Sequence, residues 1–196
     1  LHSFAAAQYN GKWILIGGRT DGLHQRQPTT SFLSVNSNTK IYVVDPVLKN
    51  VWSASVTALP VALSDQLQST NMLFCYDSSK LYIAGGYGYS VAANDHKTFT
   101  SLIVVDLPGL VNAVVNANPV GSYLRQLNDN LFALTGGQMA KLGDMFLMVG
   151  GHKFDGRYNP NNGPSFTQVY SNQVRKFKIS DDGVNLGISY QQSITD

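Results

Sequence analysis

Residues 10–18 run Asn10-Gly11-Lys12-Trp13-Ile14-Leu15-Ile16-Gly17-Gly18. Asn-Gly is the favoured centre of a two-residue hairpin turn, because both positions must reach positive φ. An apolar run then ends on a glycine pair. The same order recurs as Ser78-Ser79-Lys80-Leu81-Tyr82-Ile83-Ala84-Gly85-Gly86 and as Gly143-Asp144-Met145-Phe146-Leu147-Met148-Val149-Gly150-Gly151. Aligned on the pairs, Lys12 matches Lys80 and Met145, and Trp13 matches Leu81 and Phe146. The steps from Gly17 to Gly85 and from Gly85 to Gly150 are 68 and 65 residues. Self-similarity at a fixed period marks a repeat architecture.

Working outward, residues 3–9, 71–76 and 134–140 read as the first arms of three hairpins. Residues 41–45, 102–106 and 174–179 read as third strands, each closed by turn residues: Asp45-Pro46, Asp106-Leu107-Pro108-Gly109 and Asp181-Asp182-Gly183. Fourth strands fall near residues 51–55, 112–116 and 185–190, although residues 110–115 read equally as a short helical turn. No amphipathic helix of ten or more residues is apparent, and Glu, a strong helix former, is absent. Each unit is therefore an antiparallel meander, with approximate boundaries 1–60, 61–120 and 121–196, and the chain is all-β.

An apolar run, a double glycine, a strand ending in Asp-Pro and a later Trp together resemble the kelch repeat. Unit one carries the fullest version: Trp13 to Gly18, then Val44-Asp45-Pro46, then Trp52. Val44 stands where the family has Tyr, units two and three lack the Trp, and the units are longer than the family period of about 50 residues. The resemblance implies a partial β-propeller of about three four-stranded blades. Trp52 and the pairs Gly17-Gly18, Gly85-Gly86 and Gly150-Gly151 take structural roles, since space is tightest where blades meet near the axis. Propellers have about 4 to 8 blades. Three imply either further blades from a longer parent chain or a second copy that closes the ring. The opening on Leu1, without an initiator Met or a signal-peptide pattern, favours the longer parent.

Composition narrows the function. Hydrophobic residues make up 43% and charged residues 13%, which argues against disorder. The balance of 14 basic and 12 acidic side chains gives no basic stripe for nucleic acid. No apolar run approaches the length of a membrane-spanning helix. The lone Cys75 excludes an internal disulfide, and beside Phe74 and Tyr76 it reads as a small strand residue rather than part of a copper-radical cofactor. Low charge and the absence of glycosylation sequons suit a secreted or periplasmic bacterial protein, with a cytoplasmic scaffold as the alternative.

In a meander, alternate connections emerge at opposite ends. The long ones (residues 19–39, 87–98, 152–169, 56–68 and 119–130) share one end, and connections of that length usually carry function. They supply the candidate ligand-binding residues: Arg19, Asp21, His24 and Arg26; Tyr87, Tyr89 and His96; His152, Asp155, Arg157 and Tyr158. Arg and Tyr suit a glycan, an acidic sugar or a peptide. The histidines lack metal-ligand spacing, so neither a metal nor another cofactor is expected. No nucleophile or phosphate motif is present. The expectation is a scaffold that binds a protein or carbohydrate partner through this face. Some kelch-type propellers act on sugars, including oxidases and a sialic acid mutarotase. That gives the alternative of a carbohydrate-active enzyme using His24, His96 and His152 with Arg26 and Arg157.

Overall fold

A computed structural model describes residues 1–22, 29–159, 161 and 165–195. Strands β1 (Ala5–Tyr9), β2 (Lys12–Ile16), β3 (Lys40–Asp45) and β4 (Asn50–Ser55) form a four-stranded antiparallel meander in chain order. A short helix α1 (Val61–Leu67) leads to β5 (Leu73–Tyr76) and β6 (Lys80–Ala84). The chain then leaves that sheet for β7 (Tyr87–Ser90) and β8 (Asp95–Thr98), and returns as β9 (Ser101–Asp106). Helix α2 (Leu107–Val115) precedes β10 (Leu124–Asn128). The last part holds β11 (Gln138–Leu142), β12 (Met145–Val149), β13 (His152–Asp155), β14 (Thr167–Tyr170), β15 (Gln173–Asp181) and β16 (Leu186–Thr195).

Among the described residues there are four sheets, three of which correspond to the expected blades: β1-β2-β3-β4, β5-β6-β9-β10 and β11-β12-β15-β16. The fourth, β7-β8-β13-β14, is built from two segments that the sequence presented as loops. The arrangement is all-β, a partial propeller. Within blade 2 the outer strand is β10 rather than residues 112–116. Those residues belong to α2, whose N-cap Asp106 accepts a hydrogen bond from the Gly109 backbone N–H, with Pro108 in the first turn. An Asx cap followed by Pro is a helix start. Its buried Leu107, Leu110, Val111 and Val114 extend the core beneath blade 1.

Blade 2 shows why the β2-type runs are apolar at successive positions. Leu81, Ile83, Ile103 and Val105 pack with Ile14, Ile16, Ile41 and Val43 of blade 1. The opposite face, Tyr82, Ala84, Leu102 and Val104, packs with Phe146, Met148 and Phe177 of blade 3. A sheet covered on both faces loses the alternation of apolar and polar residues.

The glycine pairs sit at the joints between blades. Gly17 (φ +70°) is roofed by blade 2: a Cβ there would stand 2.6 Å from the Ser69 carbonyl oxygen. Gly85 (φ +61°) is roofed by the Phe132 and Leu134 carbonyls at the entry to blade 3. The second glycine of the first two pairs completes the joint. Gly18 N–H donates to Ser69 O at 2.7 Å and Gly86 N–H to Leu134 O at 2.9 Å. A further link repeats: Asn71 N–H donates to Ser3 O, and Gly136 N–H to Asn71 O. Ser3, Asn71 and Gly136 are all left-handed, with φ of 56°, 52° and 71°.

Charge also ties blades 2 and 3. Asp181 accepts from Lys80 at 2.6 Å and from Arg125 at 2.7 Å, and Asp77 accepts from Lys141 at 2.7 Å. Burial pushes the Asp77 carboxyl up, but Lys141 and the Ser79 and Lys80 amides outweigh it and hold the pKa at about 2. Asp181 is lowered in the same way: burial is outweighed by Arg125 and Lys80. A folded pKa below the unfolded one gives stability that is complete above the unfolded value and is lost as pH falls towards the folded value. The urea midpoint is therefore expected to hold above about pH 5 and to fall as pH drops from about 4 towards 2. Asp77→Asn should lower stability at pH 7 and show a smaller loss between pH 7 and pH 3. An equal loss in variant and wild type would show that this carboxylate is not linked to folding.

Candidate functional site

The residue after each glycine pair lines a shared cleft. Arg19, Tyr87 and His152 occupy that position in blades 1, 2 and 3, and each forms an antiparallel bridge to a residue leading into its own blade: His2, Thr70 and Thr135. These six residues line one cleft of about 440 Å³, together with Ser3, Asn71, Phe32, Phe154, Tyr158, Gln168 and Tyr170. The repeat thus delivers one bridge per blade to a common mouth.

Arg19 is only 2% exposed. Its guanidinium forks onto Asp21 (Nε to Oδ1 3.0 Å, Nη2 to Oδ2 2.6 Å), donates to Leu33 O at 3.2 Å and stacks on Phe32 at 4.2 Å. Burial pushes the Asp21 carboxyl up, but Arg19 outweighs it and holds the group ionised below the usual carboxylate range. Asn36 also donates to Asp21. The charge of Arg19 is therefore balanced inside the protein. Tyr87 donates its hydroxyl proton to Gly156 O and accepts from Tyr158 N–H, each at 2.7 Å. Burial raises its pKa well above the ordinary value, so the phenol stays protonated. His152 meets Phe154 and Tyr170 edge-on, with ring centroids 4.6 and 5.6 Å away. Burial lowers its pKa, so it is a neutral imidazole at pH 7, with one donor and one acceptor. The side-chain amides of Asn71 and Gln168 have no hydrogen-bond partner among the described residues.

Of the residues that the sequence singled out, Arg19, Tyr87, His152 and Tyr158 meet in this cleft, and Asp21 stands behind Arg19. Tyr89 faces a separate depression beside Ser34 and Gln68, with its hydroxyl on Asn94. His96 is interior, 5% exposed, among Phe32, Tyr87 and Tyr89. Burial lowers its pKa to about 4, against the pull of Asp95. Its surroundings are those of a packing residue. Asp155 is exposed on β13 beside Lys153 at 3.1 Å, and Arg157 is half-buried in the turn that follows. His24 and Arg26 lie outside the described residues. The sequence reading passed over His2, Thr70, Asn71, Thr135, Phe32, Phe154, Gln168 and Tyr170. A signal existed for some of them: Ser3, Asn71 and Gly136 each stand 14 residues before the first glycine of their pair, and His2, Thr70 and Thr135 directly precede them.

Among the described residues no group of three or more His, Cys, Asp or Glu could hold a metal ion. Cys75 is half-buried on β5, with its thiol pushed up to about 11 by burial. No described helix is long and apolar enough to cross a membrane.

No known protein family matches the chain, and no curated protein matches it in sequence. Among solved structures it is similar to that of YjhT, with a TM-score of 0.51 and 12% identity over 89% of this chain and 52% of YjhT. The chain thus spans about half the length of that neighbour, and the likeness is one of fold.

Proposed function

We propose that the chain is a kelch-like propeller scaffold that binds a neutral, hydroxyl-rich ligand of the glycan class in the axial cleft. The observation behind this reading is the lining. Among the described residues its one permanently charged side chain, Arg19, is already paired with Asp21, and the other lining groups are aromatic edges and uncharged donors and acceptors. A concave site with apolar rings and a few convergent polar groups is the usual form of a small-molecule site. An acidic sugar would need a free cation, which the described lining residues do not offer. Tyr170 is 73% exposed at the rim and offers a flat face to a sugar ring. The alternative, an enzyme acting on sugars, would rest on His152 as its proton-transfer group, because His96 is enclosed by rings.

A glycan array followed by titration calorimetry tests the reading. Neutral glycans should bind, and His152→Ala should weaken binding about tenfold, the loss of one or two hydrogen bonds. Tyr170→Ala should weaken it comparably, while Asp155→Asn should leave it unchanged. Binding confined to acidic sugars, or insensitive to both cleft variants, would remove the basis for this assignment. Interconversion of sugar anomers or epimers by the wild type, seen by NMR and lost in His152→Ala, would favour the enzyme.

A further inference from the structure

Two arginines of this chain are anchored alike and differ in what faces them. Arg19 donates to the Leu33 carbonyl, and its Nε and Nη2 fork onto the Asp21 carboxylate. Arg175, on β15, donates through Nη1 to the Leu131 carbonyl. Nothing takes the place of Asp21. Among the described residues the Nε and Nη2 of Arg175 have no hydrogen-bond partner, and no carboxylate pairs with it.

The position makes that gap costly. Arg175 precedes Phe177 by two residues, so it leaves the face of β15 that is turned to blade 2. There it is half-buried against the single helical turn Asn130–Phe132. Burial lowers its pKa, and no acidic group opposes the shift. A guanidinium that gives up hydration for one carbonyl gains no counter-charge, and an anion on its free edge offsets that loss.

Arg175 lines a depression of about 410 Å³. Lys153 of β13 is a second cation there, and no acidic residue is among the described lining. Lys153 is paired with Asp155 at 3.1 Å, and both are exposed. The unbalanced charge is therefore that of Arg175 alone. Much of the remaining wall is apolar: Ala133 and buried Leu134 from the entry to blade 3, and Val169 and the Tyr170 ring from β14.

We propose that this depression binds a small monocarboxylate with an apolar or aromatic body. The carboxylate lies on the Nε and Nη2 edge of Arg175, as Asp21 lies on Arg19, and the body packs against Leu134, Val169 and Tyr170. Two parallel N–H groups match a planar carboxylate. One unpaired cation balances a monoanion, whereas a sulfate or phosphate dianion brings a second charge that this lining leaves unbalanced. Arg175 does not line the axial cleft, and Tyr170 is the one described residue that the two sites share. The assignment therefore stands whether or not the cleft takes a glycan.

Benzoate is the probe, followed by NMR at the Arg175 Nε–H, whose signal is identified by its loss in Arg175→Lys. A saturable downfield shift is expected, with a Kd on the order of 1 mM. Arg175→Lys keeps the charge without the fork and should weaken binding about tenfold, read at the Ala133 and Val169 amides. Arg175→Met should abolish binding, with its fold checked by far-UV circular dichroism. If that variant does not fold, Arg175→Lys and benzamide decide the matter. Benzamide has the shape of benzoate without its charge and should not bind. Sulfate and phosphate should displace benzoate only at about tenfold higher concentration. The absence of a saturable shift up to about 50 mM benzoate overturns the proposal. So does benzamide that binds as well as benzoate, or a folded arginine variant that binds benzoate as wild type does. Sulfate or phosphate held more tightly than benzoate also overturns it, because the site would then be one for dianions.

Discussion

Gly85→Ala is expected to cost about 4 kcal/mol, combining the left-handed strain of a non-glycine residue with overpacking. The methyl group has no room, because the Phe132 and Leu134 carbonyl oxygens occupy its place and both belong to backbone entering blade 3. Relief would require blades 2 and 3 to separate, which would open the cluster of Tyr82, Leu102, Phe146 and Phe177. For a chain of this size the melting temperature should fall by on the order of 10 °C. Gly11→Ala is the matching control. It has the same sign of φ, +73°, but nothing within 4 Å, and should cost only about 1 kcal/mol. Urea unfolding of the two variants separates steric exclusion from backbone strain. Equal losses would mean that Gly85 is needed for its conformation alone.

Asp21→Ala is the second large effect, at about 3 kcal/mol. It removes both forked hydrogen bonds from a guanidinium that is 2% exposed, leaving the Leu33 carbonyl and the Phe32 ring. A buried cation without its partner costs more than the pair contributes, because its desolvation is no longer offset. Arg19→Met combined with Asp21→Ala should therefore be more stable than Asp21→Ala alone. Chemical denaturation of the three proteins is the measurement. If the double variant is the weaker, Arg19 acts by its packing and its charge is secondary.

Much of the blade pattern was legible because each blade carries its own punctuation. Asn10-Gly11, the apolar run and Gly17-Gly18 fix a hairpin and a left-handed exit from it in all three units, with a close approach of the next blade at Gly17 and Gly85. The outer strand of blade 2 was not legible in this way. Asp106-Leu107-Pro108-Gly109 reads as a turn unless the Asp side chain is recognised as a cap, and the apolar residues behind it suit strand and helix alike. The fourth sheet was beyond local reading. Its two halves meet at Lys97 and Asp155, 58 residues apart, and neither half carries a strong strand pattern of its own. The site divides along the same line. Arg19, Tyr87 and His152 could be found because each opens one of the long connections. The interior position of His96 depends on Phe32, which arrives from another blade's long connection, and no spacing rule announces it.

Stacked-repeat proteins whose units touch only their neighbours can unravel one unit at a time from either terminus. The sheet shared by β7, β8, β13 and β14 removes that freedom from the C-terminal two thirds of this chain. Thr98 Oγ1 accepts from Phe154 N–H at 2.8 Å and donates to Phe154 O at 3.1 Å, a clasp between excursions from two different blades. Blade 3 cannot peel away without tearing this brace, so blades 2 and 3 make and lose structure as one cooperative block. Blade 1 lends no strand to the brace but is pinned to it by its long connection: Phe32 packs with Tyr87 and Phe154, and the Ser31 hydroxyl donates to Tyr158 O.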